Sequence, residues 1–224
     1  MSIHDGHRKR IKERYLQDGI DSFADHEVLE LLLAYAIPRC DTSETAHNLI
    51  NELGSLHAVL DAPINSLKKI NGMGENSALL LSLISSINKR YELSKLGKHP
   101  VLNTTIKQAN FCQALQCRNI LETTYMVCLN AKKKHLADFK LDEGDIENVP
   151  IYISKIIQKA IGTNAASILF THNHPGGEPV PSKSDIRTTF QIIQALRTVD
   201  LKLEDHIIIG DNGAWVSLRE SKCI

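Results

Sequence analysis

The chain has 224 residues, an apolar content of 42% and 26 basic against 26 acidic residues. That is ample apolar material for one large or two small packed domains, and a formal charge of zero excludes a global pull toward nucleic acid or a membrane surface, so any such contact must be local. The apolar runs are far too short to span a bilayer, and five scattered cysteines without a C-x-x-C pair read as reduced thiols, so a cytoplasmic protein is expected.

Up to Gly97 the pattern is helical, and residues 1–97 are expected to form an all-α domain. Arg8 to Gln17 reads as a basic helix ended by Gly19, and Asp25 is placed to cap Val28 to Ala36. Asp41 and Glu44 resemble a capping box ahead of Ala46 to Leu53, with Gly54 as the stop. Pro63 opens a short helix to Ile70, and a long helix runs from Glu75 to about Leu93. Between them, Ile70-Asn71-Gly72-Met73-Gly74-Glu75-Asn76-Ser77-Ala78 resembles a helix-hairpin-helix motif. Gly72 and Gly74 allow a tight turn whose following amides can meet a phosphate, and Lys69 supplies charge beside it, so DNA contact is one expectation. Against it, Glu75 competes for those amides, and the plain reading of Arg8, Lys9, Arg10, Lys12 and Arg14 is a solvated helix face.

After Pro100 the pattern alternates, and residues 101–224 are expected to form an α/β sandwich around a mixed sheet. Ile106 to Gln116 reads as a helix, Thr123 to Leu129 and His135 to Leu141 as a strand pair, and Ile151 to Ile161 as a helix. Ala165 to Phe170 reads as a buried strand, Ser182 to Val199 as an amphipathic helix, and His206 to Leu218 as a closing hairpin turning at Asn212-Gly213.

The chemistry is concentrated between that strand and that helix, in Thr171-His172-Asn173-His174-Pro175-Gly176-Gly177 and the Pro181-Ser182-Lys183-Ser184-Asp185 run. Side chains two apart on an extended backbone point the same way, so His172 and His174 can converge on one ion. Ser182 reads as the helix N-cap, which places Asp185 in the first turn, facing back toward the strand end. Two imidazoles and one carboxylate leave the fourth position of a Zn²⁺ open for water, the mark of a catalytic metal. Ser182 can donate to an oxyanion formed by attack on a carbonyl.

These residues, with Arg8, Arg10, Gly19, the Asp25 to Leu33 run, Gly72-Met73-Gly74 and Asp205-His206-Ile207-Ile208-Ile209-Gly210, resemble the RadC family, also called UPF0758. The resemblance covers nearly the whole chain. It implies a helical N-terminal domain with a helix-hairpin-helix, and a C-terminal MPN/JAB sandwich carrying a JAMM metal motif. It further implies that His172, His174 and Asp185 bind zinc, that Ser182 stabilises an oxyanion, and that the protein is associated with DNA repair.

JAMM sites also use a glutamate as general base, and aligning the second strand of the hairpin on Gly144 puts Phe139 at its position. Asp138, Glu143 and Glu178 are the neighbouring carboxylates, each a poorer substitute than no base at all. Three functions follow: a zinc hydrolase of amide, peptide or isopeptide bonds, weakened for want of that base; a DNA-associated binding protein with a catalytically reduced metal domain; and a zinc deaminase. The absence of P-C-x-x-C and H-x-E argues against the last. His206 reads as a structural histidine or a surface turn in preference to a residue that supports a metal ligand, and Trp215 and Cys128 read as packing residues.

Overall fold

A computed structural model describes residues 3–38, 40–117, 121–143 and 149–224, except the side chains of 3–5, 142–143, 149–152 and 212. Two compact units divide the chain, residues 1–88 and 89–224. Gly144, the glycine of the strand alignment, lies outside the described residues.

The first unit is helical: α1 (Ile3–Asp18), α2 (Asp25–Ala36), α3 (Ser43–Leu53), α4 (Leu56–Asp61), α5 (Ile64–Leu67) and the start of α6 (Glu75–Lys95). Its core is Leu29, Leu33, Leu49, Val59, Leu67 and Leu81, drawn from α2 to α6. Two caps differ from expectation. Ala24 rather than Asp25 caps α2, and the Glu27 carboxylate reaches back to the Ala24 amide at 2.9 Å. Asp25 instead accepts the Leu56 amide at 3.2 Å, which fastens the start of α4 to α2. Thr42 caps α3, while Asp41 accepts the Ser43 amide at 2.9 Å. The short helix α4 has no counterpart among the sequence expectations.

Two basic residues of α1, Arg8 and Arg14, are engaged within this unit. Arg8 donates from Nη2 to the carbonyl of Ile37, the C-cap of α2, at 2.5 Å and to the Cys40 carbonyl beyond it. Arg14 pairs with Glu27 at 2.8 Å and lies 4.0 Å from the Phe23 ring centroid.

At the α5–α6 turn, Gly72 has φ of +86°, and a Cβ there would meet Thr45 Oγ1 at 2.1 Å. The Gly74 amide donates to Ser77 Oγ at 2.8 Å, so this turn amide already has an acceptor. Lys69 is exposed beside it.

The second unit takes in the end of α6, then α7 (Thr105–Gln116), β1 (Thr123–Leu129), β2 (His135–Glu143), α8 (Val149–Gly162), β3 (Ser167–Asn173), α9 (Lys183–Arg197), β4 (Lys202–Ile209) and β5 (Trp215–Ser217). Among the described residues the strands form one sheet in the order β2-β1-β3-β4-β5, with β3 and β4 parallel and the other neighbours antiparallel. Strand alternation sorts its side chains. Met126, Cys128, Ile168 and Phe170 meet Ile156 of α8 and Ile192 and Leu196 of α9 on one face, while Val127, Leu129, Leu169 and Ile207 meet Phe111, Cys112 and Leu115 of α7 on the other. The result is helix, sheet and helix in layers. Burial on the α7 face pushes the Cys112 thiol up to about 12, so it packs as a small hydrophobe.

Gly72→Ala is expected to destabilise the chain by about 1–3 kcal/mol, because it combines a left-handed φ with a clash against Thr45. Gly74→Ala, with nothing within 4 Å of the new Cβ, should cost less than Gly72→Ala. Urea denaturation of the two variants tests this; an equal loss would contradict the packing at Thr45.

Candidate metal centre

Strand β3 runs through His172 and Asn173, further than the apolar run alone indicates, because its pairing with β1 and β4 continues to that point. Thr124 of β1 and Ile208 of β4 flank His172. The alternation that puts Phe170 on the α8–α9 face puts His172 there too. His174 follows just past the strand end, its amide donating to the Ile209 carbonyl at 2.8 Å, so both rings emerge on the side covered by α9.

The loop beyond is held from β4. Gly176 donates to the Asp211 carboxylate at 3.0 Å, and the Asp211 amide donates to the Gly177 carbonyl at 3.0 Å. Gly210 makes this approach feasible, since a Cβ there would lie 2.6 Å from Pro179 Cδ and 2.8 Å from the Gly177 carbonyl.

Helix α9 starts with a reciprocal cap. The Asp185 amide donates to Ser182 Oγ at 3.1 Å, and the Ser182 amide donates to Asp185 Oδ2 at 2.7 Å. This box aims the Asp185 carboxylate at the histidines: Oδ1 lies 3.7 Å from His172 Nε2, and Oδ2 lies 3.9 Å from His174 Nε2. The two Nε2 atoms are 3.0 Å apart. Ser182 itself is exposed at the helix start.

A fourth group joins them that the sequence reading missed. A Glu122 carboxylate oxygen and ligand nitrogens of His172 and His174 all lie within 4.8 Å of one another. Glu122 immediately precedes β1, whose start lies beside the end of β3. Asn173 clamps that stretch from both sides, accepting the Thr123 amide at 2.8 Å and donating to the Leu121 carbonyl at 3.2 Å. Gln116 adds a bond to the Thr123 carbonyl at 3.0 Å. The available signal was topological: a carboxylate two residues before Thr124, on the strand that pairs with the histidine strand.

Phe139 and Asp138 lie away from this group. Phe139 is paired with Met126 and packed into the core under α8, with the Lys159 ammonium 4.2 Å from its ring centroid. Asp138 pairs with Val127 on the opposite face and bonds to His135 at 3.0 Å. Glu178 is exposed and offers its carbonyl to the group. Strand β2 extends to Glu143, further than expected, but the Glu143 side chain lies outside the described residues. A carboxylate does stand beside the two histidines, at Glu122, a position outside the expected strand.

His206, read as a structural or surface residue, is buried with 1% exposure and sits directly behind His172, Nε2 to Nδ1 at 2.8 Å. Burial lowers the His172 pKa to about 4, with the His174 charge acting the same way and Asp185 opposing. Burial, then the His172 and His174 charges, hold His206 well below its ordinary value.

The donor set fits a divalent cation. His174 Nδ1 lies 3.0 Å from the Glu178 carbonyl, which can only accept, so neutral His174 carries its proton on Nδ1 and a lone pair on Nε2. That lone pair faces His172 Nε2 at 3.0 Å with carboxylates of Asp185 and Glu122 alongside, a concentration of electron pairs that a cation relieves.

Histidines at a strand end and an acidic residue on the following helix, set in a mixed sheet with helices on both faces, are the arrangement expected of a JAB-type domain. Residues 102–223 match the family model described as RadC-like JAB domain, and residues 6–79 match the UPF0758 N-terminal model. The chain belongs to the RadC family, with a helical N-terminal domain and a C-terminal MPN/JAB domain. Among the described residues no helix is long and apolar enough to cross a membrane.

Because His172 and His206 are kept neutral in the fold, the unfolded chain binds more protons than the folded one below about pH 6.5. Their depressed pKa values leave this contribution complete above that point and erode it as pH falls, for His172 toward its value of about 4. Urea midpoints of the metal-free protein should therefore drop steadily from about pH 7 to about pH 4.5. His172→Asn should flatten that dependence; an unchanged slope would contradict it.

Proposed function

We propose that the C-terminal domain is a zinc-dependent hydrolase of amide bonds in peptides or isopeptides, with His172, His174 and Asp185 holding the ion and Glu122 handling the proton. The observation that carries the reading is the meeting of two imidazole nitrogens 3.0 Å apart with the Asp185 and Glu122 carboxylates beside them. Zinc bound there supplies Lewis acidity and brings the pKa of a water down to roughly 7.

The chain's own groups divide the remaining work. Glu122 is the carboxylate that takes the proton of the attacking water and returns it to the leaving amine. Asn173 holds the backbone on either side of it, which fixes where the carboxylate stands. Ser182 Oγ accepts from the Asp185 amide, leaving its hydroxyl proton for an oxyanion at the exposed start of α9. With Glu122 in the base role, Phe139 no longer implies a weakened site.

The test is metal content together with turnover on peptide and isopeptide substrates. His174→Ala is expected to lose both. Glu122→Gln should keep zinc and lose about 10²- to 10⁴-fold in turnover. Zinc bound without turnover, accompanied by salt-sensitive retention of DNA that Lys69→Glu abolishes, would replace this reading with that of a DNA-associated binding protein.

A further inference from the structure

Behind His172 lies a hydrogen-bonded row that the hydrolase reading does not use. The Thr189 hydroxyl is 2.6 Å from the Asp185 carbonyl and 2.7 Å from His206 Nδ1, and His206 Nε2 is 2.8 Å from His172 Nδ1. Thr189 and His206 are both buried, at 0% and 1% exposure, so water does not stand in for a missing partner.

Counting protons settles the direction of this row. Three gaps need one proton each, and a threonine with two neutral imidazoles supplies three. A carbonyl oxygen only accepts, so the first gap takes the Thr189 proton. The threonine oxygen then accepts from His206 Nδ1–H, which leaves a lone pair on His206 Nε2. That lone pair accepts from His172 Nδ1–H, and His172 is left with its lone pair on Nε2, facing His174. The reverse direction puts two unprotonated oxygens 2.6 Å apart and a proton on the Nε2 that faces the site.

We propose that Thr189 and His206 are positioning residues that lock His172 in its Nδ1–H tautomer, with the Asp185 backbone carbonyl as the terminal acceptor that sets the whole row. One ligand's main chain thus dictates the proton position on another. Asp205 fixes the ring in the middle of the row, accepting the His206 amide at 2.7 Å, the Arg219 amide at 3.1 Å and the Ser217 hydroxyl. The inference rests on His172 being a metal ligand, but not on which reaction the site performs.

The tautomer is read directly by long-range ¹⁵N–¹H correlation of the metal-free full chain at about pH 8, where added protons are scarce. The expected result is Nδ1–H on His172 and on His206. Thr189→Val keeps the shape and removes both the donor and the acceptor; His172 should then populate Nε2–H, and Zn²⁺ affinity by chelator competition should fall about 10- to 100-fold. Thr189→Ser should restore the tautomer and the affinity, which a purely packing role for the methyl group would not. His206→Gln, which keeps an acceptor toward His172, is the second variant and should retain Nδ1–H. Nε2–H on His172 in the wild type, or Thr189→Val binding zinc as the wild type does, would overturn the proposal. Absence of hydrolysis with the tautomer and affinity responding as stated would remove the hydrolase reading and leave the relay standing.

Discussion

Two imidazole nitrogens with their lone pairs turned toward each other at 3.0 Å form an arrangement that a folded chain does not reach by default. Without a cation or a shared proton between them they repel, and solvent would separate them on a free surface. What holds them is backbone. His172 is a strand residue paired on both sides, and the His174 amide is tied to Ile209 of β4. The loop that follows His174 is fastened again through Asp211 and Gly177. The positions of the other groups follow from that restraint, since each comes from an element anchored to the same strand end.

The sheet order explains why so many elements meet there. β3 lies between an antiparallel neighbour, β1, and a parallel neighbour, β4. Its carboxyl end therefore abuts the amino end of β1, which brings Glu122, and the carboxyl end of β4, which brings Gly210 and Asp211 from the other side. The connection from β3 to β4 passes through α9, which returns over the face carrying His172 and presents its first turn, Asp185, to the strand end. A site built in this way needs no long-range coincidence beyond the one mixed sheet.

That distinction also separates what the residues declared from what they did not. His172, His174, Ser182 and Asp185 were legible because their relation is local: strand parity, a turn of glycines and prolines, and a helix cap with an acidic residue three positions on. The helices of the first unit were legible from periodicity and glycine stops, while the identity of two caps was not, because Ala24 caps α2 through the side chain of Glu27 rather than its own. Glu122 was missed because nothing within ten residues marks it; its role depends on the pairing of β1 with β3, fifty positions away in sequence. Aligning on a glycine of the second strand led instead to Phe139, a core residue. His206 likewise carries no local sign of its contact with His172, since that contact is across β3 and β4.

The burial of the group is lopsided, and this bears on how it works. The His172 side chain is 2% exposed, Asp185 15% and His174 23%. The deep ligand is the one backed by a row of internal hydrogen bonds, where a wrong tautomer would be costly because no water can compensate. The shallow ligand is held by a loop carbonyl, and Ser182 and Glu178 at the same rim are exposed. Solvent therefore reaches the group from the His174 side, where Ser182 stands at the start of α9. Glu122 stands just before β1, so it and Ser182 are carried by different elements, one stretch clamped by Asn173 and the other by the helix cap. Two separate anchors, Asn173 for the stretch ahead of β1 and the reciprocal cap for the start of α9, thus fix the elements that meet the histidines.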